Sequence, residues 1–134
     1  MTLPAHRLAV RVYYEDTDAA GIVYHANYLR FAERARTEML RERGFGHAAL
    51  RREHGILFAV RRCAVEFLAP ARLDDLVEVE TVPVRLGGVR VVLKQTVLRA
   101  DAALATLEVE LAVLDAEGLR PRRLPEAVRA ALTS

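Results

Sequence analysis

The sequence predicts an α+β chain: a mostly antiparallel, five-stranded sheet wrapped around one long central helix. Three observations carry that prediction. Residues 26–43 are rich in Ala, Leu, Arg and Glu and contain neither Gly nor Pro, as a helix requires. One alternating apolar run precedes this stretch and four follow it. Gly87-Gly88 separates two of those runs as a hairpin signal.

Residues 7–14 alternate and read as the first strand, which empties into an acidic loop, Glu15-Asp16-Thr17-Asp18. In the helix, Tyr28, Ala32, Ala35 and Met39 recur at spacings of three and four, with Phe31 and Leu40 on the flanks. Such a stripe is a core face; Arg30, Glu33, Arg34, Glu38 and Glu42 lie mostly on the other side. Gly44 and Gly46 end the helix, and residues 48–53 have room for one further turn. Residues 58–67 form a long strand that stops before Pro70, and the segment to Asp75 reads as a turn. In the next strand, residues 76–86, Glu78 and Glu80 alternate against Val77 and Val79, while Pro83 implies an edge position or a bulge. Residues 89–99 and 104–115 complete the sheet, with Ala105, Leu107, Val109, Leu111 and Val113 on one face. A lone helix covers only one face of such a sheet. The other face and the edge strands call for a partner, so a homo-oligomer is expected.

At 134 residues the chain suits a single domain, 1–134, with one moderate core. Its 52% hydrophobic and 28% charged residues describe a globular protein rather than a disordered one. A net charge of +2 gives no reason to expect a nucleic-acid partner. Lys94 is the only lysine; arginine suits phosphate recognition through its planar fork, although genomic base composition also produces such a bias. Cys63 is the only cysteine, which excludes an intrachain disulfide and fits a reducing compartment. No apolar signal-peptide region and no membrane-length run are present, so a soluble, cytoplasmic protein is expected.

The chemistry gathers between Tyr13 and Tyr28. A strand that delivers acidic residues to the start of a helix sets carboxylates beside backbone N–H groups that have no helical partner. Such a site can polarise a carbonyl. Asp18 reads in two ways: as a turn residue or helix cap, or as a carboxylate acting as general base or nucleophile at an acyl carbonyl. Gly21, Ile22 and Val23 turn the chain into the helix, and Tyr24 and His25 stand at its first turn. The His25 imidazole could orient an acyl group or share protons, or be a half-buried polar residue satisfied by backbone. Tyr24 and Tyr28 read as pocket wall and core, Asn27 as a side chain that fixes the loop, and Glu15 and Asp16 as acids that shape the turn.

The string from Val10 to Leu40 resembles the hotdog-fold acyl-CoA thioesterases, in the branch of 4-hydroxybenzoyl-CoA thioesterase and, most closely, the Tol–Pal-associated acyl-CoA thioesterases. The resemblance rests on Tyr13-Tyr14-Glu15-Asp16-Thr17-Asp18, on Gly21-Ile22-Val23-Tyr24-His25, and on the helical Glu33-Arg34-Ala35-Arg36-Thr37-Glu38-Met39-Leu40. Ala69-Pro70-Ala71-Arg72-Leu73-Asp74-Asp75 and Pro121-Arg122-Arg123-Leu124-Pro125 extend it over most of the chain. The resemblance implies a hotdog topology, a catalytic acid at Asp18, an oxygen-polarising N–H at His25, and an active site between subunits of a dimer or a dimer of dimers (a homotetramer). It also implies acyl-CoA as substrate, met by Gly21, Val23 and Tyr24, with no metal or redox cofactor. Basic residues should meet the CoA phosphates, and Arg61 and Arg90 are the candidates. Arg61 and Arg62, adjacent on a strand, should face opposite ways. Relatives carry a basic or hydroxyl-bearing cluster near the hairpin, where this chain has Leu86-Gly87-Gly88-Val89; the N–H groups of Gly87 and Gly88 would have to bind phosphate instead.

Other hydrolytic machinery fits poorly. Ser134 is the only serine, which excludes a Ser–His–Asp site or a nucleophile elbow. Cys63 reads as a small core residue rather than a nucleophile. Asp16, Asp18 and His25 could ligate a divalent ion, but His6, His47 and His54 are scattered without ligand spacing. The expected function is therefore hydrolysis of an acyl-CoA thioester, with Asp18 as base or nucleophile. Two rivals stay open: a hydrolase of acyl carrier protein thioesters, and a non-catalytic acyl-CoA-binding scaffold subunit.

Overall fold

The structure, a computed structural model, describes residues 4–133. Ser134 therefore lies outside the described residues. Strand β1 (His6–Arg11) leads through a 3₁₀ turn (Tyr14–Asp16) and a tight loop into helix α1 (His25–Glu42). A short helix, α2 (His47–Ala49), runs into a π turn (Leu50–His54), and then come β2 (Ile56–Phe67), β3 (Leu76–Leu86), β4 (Arg90–Arg99) and β5 (Ala102–Asp115). Helix α3 (Glu126–Thr133) closes the described chain. The five strands form one sheet in the order β1-β3-β4-β5-β2, and every neighbouring pair is antiparallel. Helix α1 crosses the concave face, as a hotdog fold requires.

The stripe read from the sequence is the buried one: Tyr28, Phe31, Ala32, Ala35, Met39 and Leu40 all pack into the core. From the sheet, Val77, Val79, Leu93, Val97, Leu107 and Val109 meet them. A polar network fixes the helix on this apolar bed. Gln95 Nε2 donates to Ala32 O and to Thr81 Oγ1, both at 2.9 Å, and Arg36 Nη1 donates to Gln95 Oε1 at 3.0 Å. Gln95 and Thr81 are fully buried, so each bond removes an otherwise unsatisfied group and fixes the register of helix on sheet. Burial lowers the Arg36 pKa below the ordinary arginine range.

Of the two readings of Pro83, the bulge is the one found: it sits where the β3–β4 register shifts, beyond Thr81, the last β3 residue paired with β1. A missing N–H is tolerated there because β1 has already ended. Arg61 and Arg62 do not simply alternate, because a second bulge shifts the β2–β5 register between Val60 and Arg62. Cys63 is exposed rather than buried in the core, since this half of β2 is the open edge of the sheet. Helix α3 was not read from the sequence at all. Val128 and Leu132 are its buried face, Leu124 just before it is buried too, and Pro125 precedes its first turn. Arg129 on α3 donates from Nη1 to Leu86 O and from Nη2 to Gly87 O, each at 2.8 Å, and so pins the β3–β4 hairpin.

Candidate active site

The acidic loop is built around Asp16, not Asp18. Asp16 is buried, its Oδ2 accepting the Tyr13 N–H at 2.8 Å and its Oδ1 accepting Asn27 Nδ2 at 2.9 Å. Its carbonyl accepts the Tyr24 N–H at 2.9 Å. One residue thus ties the end of the first strand to the first turn of α1, and Asn27 fixes the loop as its position suggested. The Tyr24 N–H is consequently not available to a substrate.

Between these anchors the chain makes a miniature hairpin. Thr17 and Val23 pair across it, the Asp18 N–H donates to Ile22 O at 2.9 Å, and the Gly21 N–H returns to Asp18 O at 3.0 Å. Gly21 has φ +77°, a conformation that glycine adopts without steric cost. Asp18 Oδ1 accepts the Ala20 N–H at 2.9 Å, so the carboxylate does serve the turn. It does not cap the helix: the cap residue is Tyr24, and no side chain there bonds the helix end. Asp18 is exposed, and among the described residues its Oδ2 has no partner.

Helix α1 opens beside a cavity of about 320 Å³. Ile22, Val23, His25 and Tyr28 line one side of it, and Phe67, Leu68, Ala69 and Pro70 the other. Among the described residues the N–H groups of His25 and Ala26 have no acceptor, as expected at a helix start. The Phe67 ring stands edge-on to His25 (centroids 6.2 Å apart) and to Tyr28 (5.6 Å), and the Tyr28 hydroxyl accepts the Ala71 N–H at 3.0 Å. The arrangement offers an apolar slot, a helix start with two unpartnered backbone donors beside it, and a carboxylate on the adjoining hairpin. That combination can hold an acyl chain and stabilise an oxyanion.

The residues singled out from sequence fall into two groups. Asp18, Gly21, Val23, Tyr24 and His25 are brought together, although only Val23 and His25 of these line the cavity. Tyr24 does not line it: its side chain is exposed, and its ring lies tilted by 47° against His25 with centroids 4.5 Å apart. Arg61, Gly87, Gly88 and Arg90 lie elsewhere. Arg99, not Arg90, is the end of β4 that reaches the cavity wall, and the strand between them spans about 30 Å. The Gly87 N–H donates to Arg90 O at 2.8 Å to close the hairpin, so it cannot bind phosphate; Gly88 O accepts the Leu124 N–H at 2.8 Å. Arg61 Nη1 lies 2.5 Å from Glu110 Oε2, and Arg85 is 3.9 Å from the same carboxylate. The Arg61 hydrogen bond, then the charges of Arg61, Arg90 and Arg62, hold the Glu110 carboxyl below the usual carboxylate range. The β2 bulge thus lets Arg61 and Arg62 both act on one acid. The cavity wall at residues 67–70 was missed as a functional element; Pro70 and the family-like stretch 69–75 were its only sequence signals.

Among the described residues no cluster of His, Cys, Asp or Glu is arranged to hold a metal ion, and no helix is long and apolar enough to cross a membrane. The chain matches the Thioesterase-like superfamily over residues 12–132. It is 45% identical to the acyl-CoA thioester hydrolase YbgC of Escherichia coli over 129 residues, 96% of each chain. It is 43% identical to the acyl-CoA thioesterase YbgC of Haemophilus influenzae, covering 91% of this chain and 90% of that one. Among solved structures, a probable thioesterase from Bartonella henselae superposes with a TM-score of 0.87 at 41% identity, over 91% of this chain and all (100%) of the other. With its sheet wrapped around one long helix and these relatives, the chain belongs to the hotdog-fold acyl-CoA thioesterase family.

Proposed function

We propose that this thioester hydrolase cleaves acyl-CoA to the free acid and CoA, with the acyl group in the cavity and the carbonyl oxygen at the start of α1. The observation that carries the reading is the start of α1, where among the described residues the N–H groups of His25 and Ala26 have no acceptor and His25 lines an apolar cavity. They offer hydrogen bonds to the oxygen as it gains negative charge. Asp18 supplies the carboxylate, with Oδ2 unpartnered. Either it takes a proton from water as the water attacks the carbonyl carbon, or it attacks directly and water then cleaves the resulting anhydride. In both routes the C–S bond breaks and the sulfur leaves as CoA thiolate, then takes up a proton. Free-thiol release from short, aromatic and long acyl-CoAs, run beside the matching acyl carrier protein thioesters, tests the activity and the carrier together. Hydrolysis confined to the carrier protein substrates would replace this reading with the nearest rival; no turnover of either would leave a binding subunit.

The chemistry assigned here needs no metal. Turnover should be unchanged after exhaustive dialysis against EDTA. Loss on chelation with recovery on adding a divalent ion would overturn that assignment.

The functional unit in this reading is at least a dimer. Strand β2 pairs only with β5, and from Val60 to Phe67 its outer edge is largely open. Phe67 belongs to this edge and also to the cavity. A second copy pairing antiparallel along β2 would bring Arg61 of one protomer toward Phe67 of the other. That is how the distant Arg61–Arg90 group could meet the phosphates of a CoA whose acyl end lies in the partner's cavity. The convex face carries ion pairs, Arg7 with Glu78 and Glu80 and Arg61 with Glu110, rather than an apolar patch. The first contact is therefore the β2 edge, and a homotetramer would be two such dimers. Dilution to monomer should abolish turnover. A fully active monomer in the ultracentrifuge would refute the shared site.

A further inference from the structure

We infer that the Arg99–Asp75 pair is a positioning device for the acyl pocket, holding the wall at residues 68–70 in place and thereby setting which acyl groups fit. The inference rests on the cavity being the acyl site, as proposed above. Neither side chain lines the cavity. Arg99 bonds the carbonyl of Pro70, which does, and Asp75 holds Arg99 and the chain just beyond at Arg72.

The wall is irregular chain between β2 and β3, and it is held from three directions. On the sheet side, the N–H groups of Leu68 and Ala69 both donate to Leu104 O, at 2.8 and 3.1 Å. On the side of the polarising turn, the Val23 N–H donates to Ala71 O at 2.9 Å, and Ile22 pairs with Arg72. Between these lies Pro70, which has no N–H to donate. Its carbonyl is its only polar handle, and among the described residues Arg99 is the partner of that carbonyl, with Nη1 at 3.3 Å. The same Nη1 lies 2.8 Å from Asp75 Oδ2, which also accepts the Arg72 N–H at 2.9 Å. One guanidinium and one carboxylate therefore fix both ends of the segment 70–75 against the end of β4.

An isolated surface ion pair would contribute little. This one differs in where its bonds go. Asp75 is further tied to β1, since its carbonyl accepts the Val12 N–H at 2.8 Å, and Arg11 Nη1 donates to Asp74 O at 2.7 Å. The Arg72 N–H, and after it Arg99, keep the Asp75 carboxyl below the usual carboxylate range, so the pair stays ionised at neutral pH. Because Ala71 bonds the polarising turn directly, a shift of Pro70 moves the wall relative to the carbonyl site. Such a shift alters the fit of the acyl chain before it alters the chemistry.

The test is a specificity profile: kcat and KM by free-thiol release for butyryl-CoA, benzoyl-CoA and palmitoyl-CoA. It is run on the wild type, Arg99→Ala, Arg99→Lys and Asp75→Asn, each checked by thermal melting. Arg99→Ala should change the ratio of kcat/KM between the best and worst of the three by about tenfold, the scale of one methylene in an apolar pocket. The change should sit mainly in KM. Arg99→Lys keeps one charged donor nitrogen but loses the planar guanidinium that places it, so it should restore part of the preference. Asp75→Asn should shift the preference the same way and carries the test if Arg99→Ala does not fold. Equal losses on all three substrates, or none, would overturn the inference and leave the proposed function standing. A wild type without Asp18-dependent turnover would overturn both.

Discussion

Replacing Asp18 by Asn should lower turnover by about 10²–10⁴-fold while leaving the fold and CoA affinity nearly intact. Among the described residues, the one bond Asp18 makes through its side chain is from the Ala20 N–H to Oδ1, and an amide oxygen can accept that bond equally well. A role confined to the turn would thus tolerate the change at roughly 1 kcal/mol or less. What the amide lacks is the second oxygen, the one with no partner among the described residues, as an acceptor for a proton or as a nucleophile. Activity and stability should therefore separate. His25→Ala should cost less, because the N–H at the helix start belongs to the backbone and survives the substitution. Steady-state rates beside melting temperatures and CoA binding decide the matter. Near-normal turnover in Asp18→Asn, or loss only through unfolding, would move the catalytic carboxylate elsewhere.

The parts of the molecule that were legible in the sequence are those governed by local period. The α1 stripe recurs at three and four because a helix has one buried side, and the five strands alternate because a sheet has two faces. The turn before α1 was legible as a candidate site because acidic residues, a glycine and a helix start are adjacent in the chain. What was illegible depends on which segments meet. Cys63 sits in an apolar alternating run like any core strand, and only the strand order, with β2 outermost, exposes it. The N–H of Gly87 looks available in the sequence, yet hairpin closure consumes it. Arg61 and Arg90 are 29 positions apart and converge on Glu110 only because β2, β5 and β4 are neighbours. The wall at residues 67–70 has no period at all, being a connection held by Leu104 and Arg99 from other strands. Helix α3 was missed for a different reason: it is only eight residues long, too short for a stripe to stand out.

Asp16 and Asp18 are two residues apart and should fail in opposite ways. Asp16→Ala leaves the Tyr13 N–H and Asn27 Nδ2 without acceptors in a site that is 8% exposed. Each buried unsatisfied donor costs about 1–3 kcal/mol, so a loss of roughly 2–6 kcal/mol is expected, a large part of a typical domain's stability. Asp16→Asn should fall between Ala and wild type. Its amide oxygen can accept one of the two donors, but its NH₂ must then face the other, donor against donor. Both variants should also lose turnover, because the Asp16 carboxylate holds Asn27 in the first turn of α1 and so ties the loop to the helix start. In these variants, however, activity should fall together with the urea midpoint, and folded molecules recovered at low temperature should regain part of it. Asp18→Asn should keep the wild-type midpoint and regain nothing. If Asp16→Asn unfolds at the wild-type midpoint yet is inactive, Asp16 is the chemical group, and the roles assigned to the two acids are reversed.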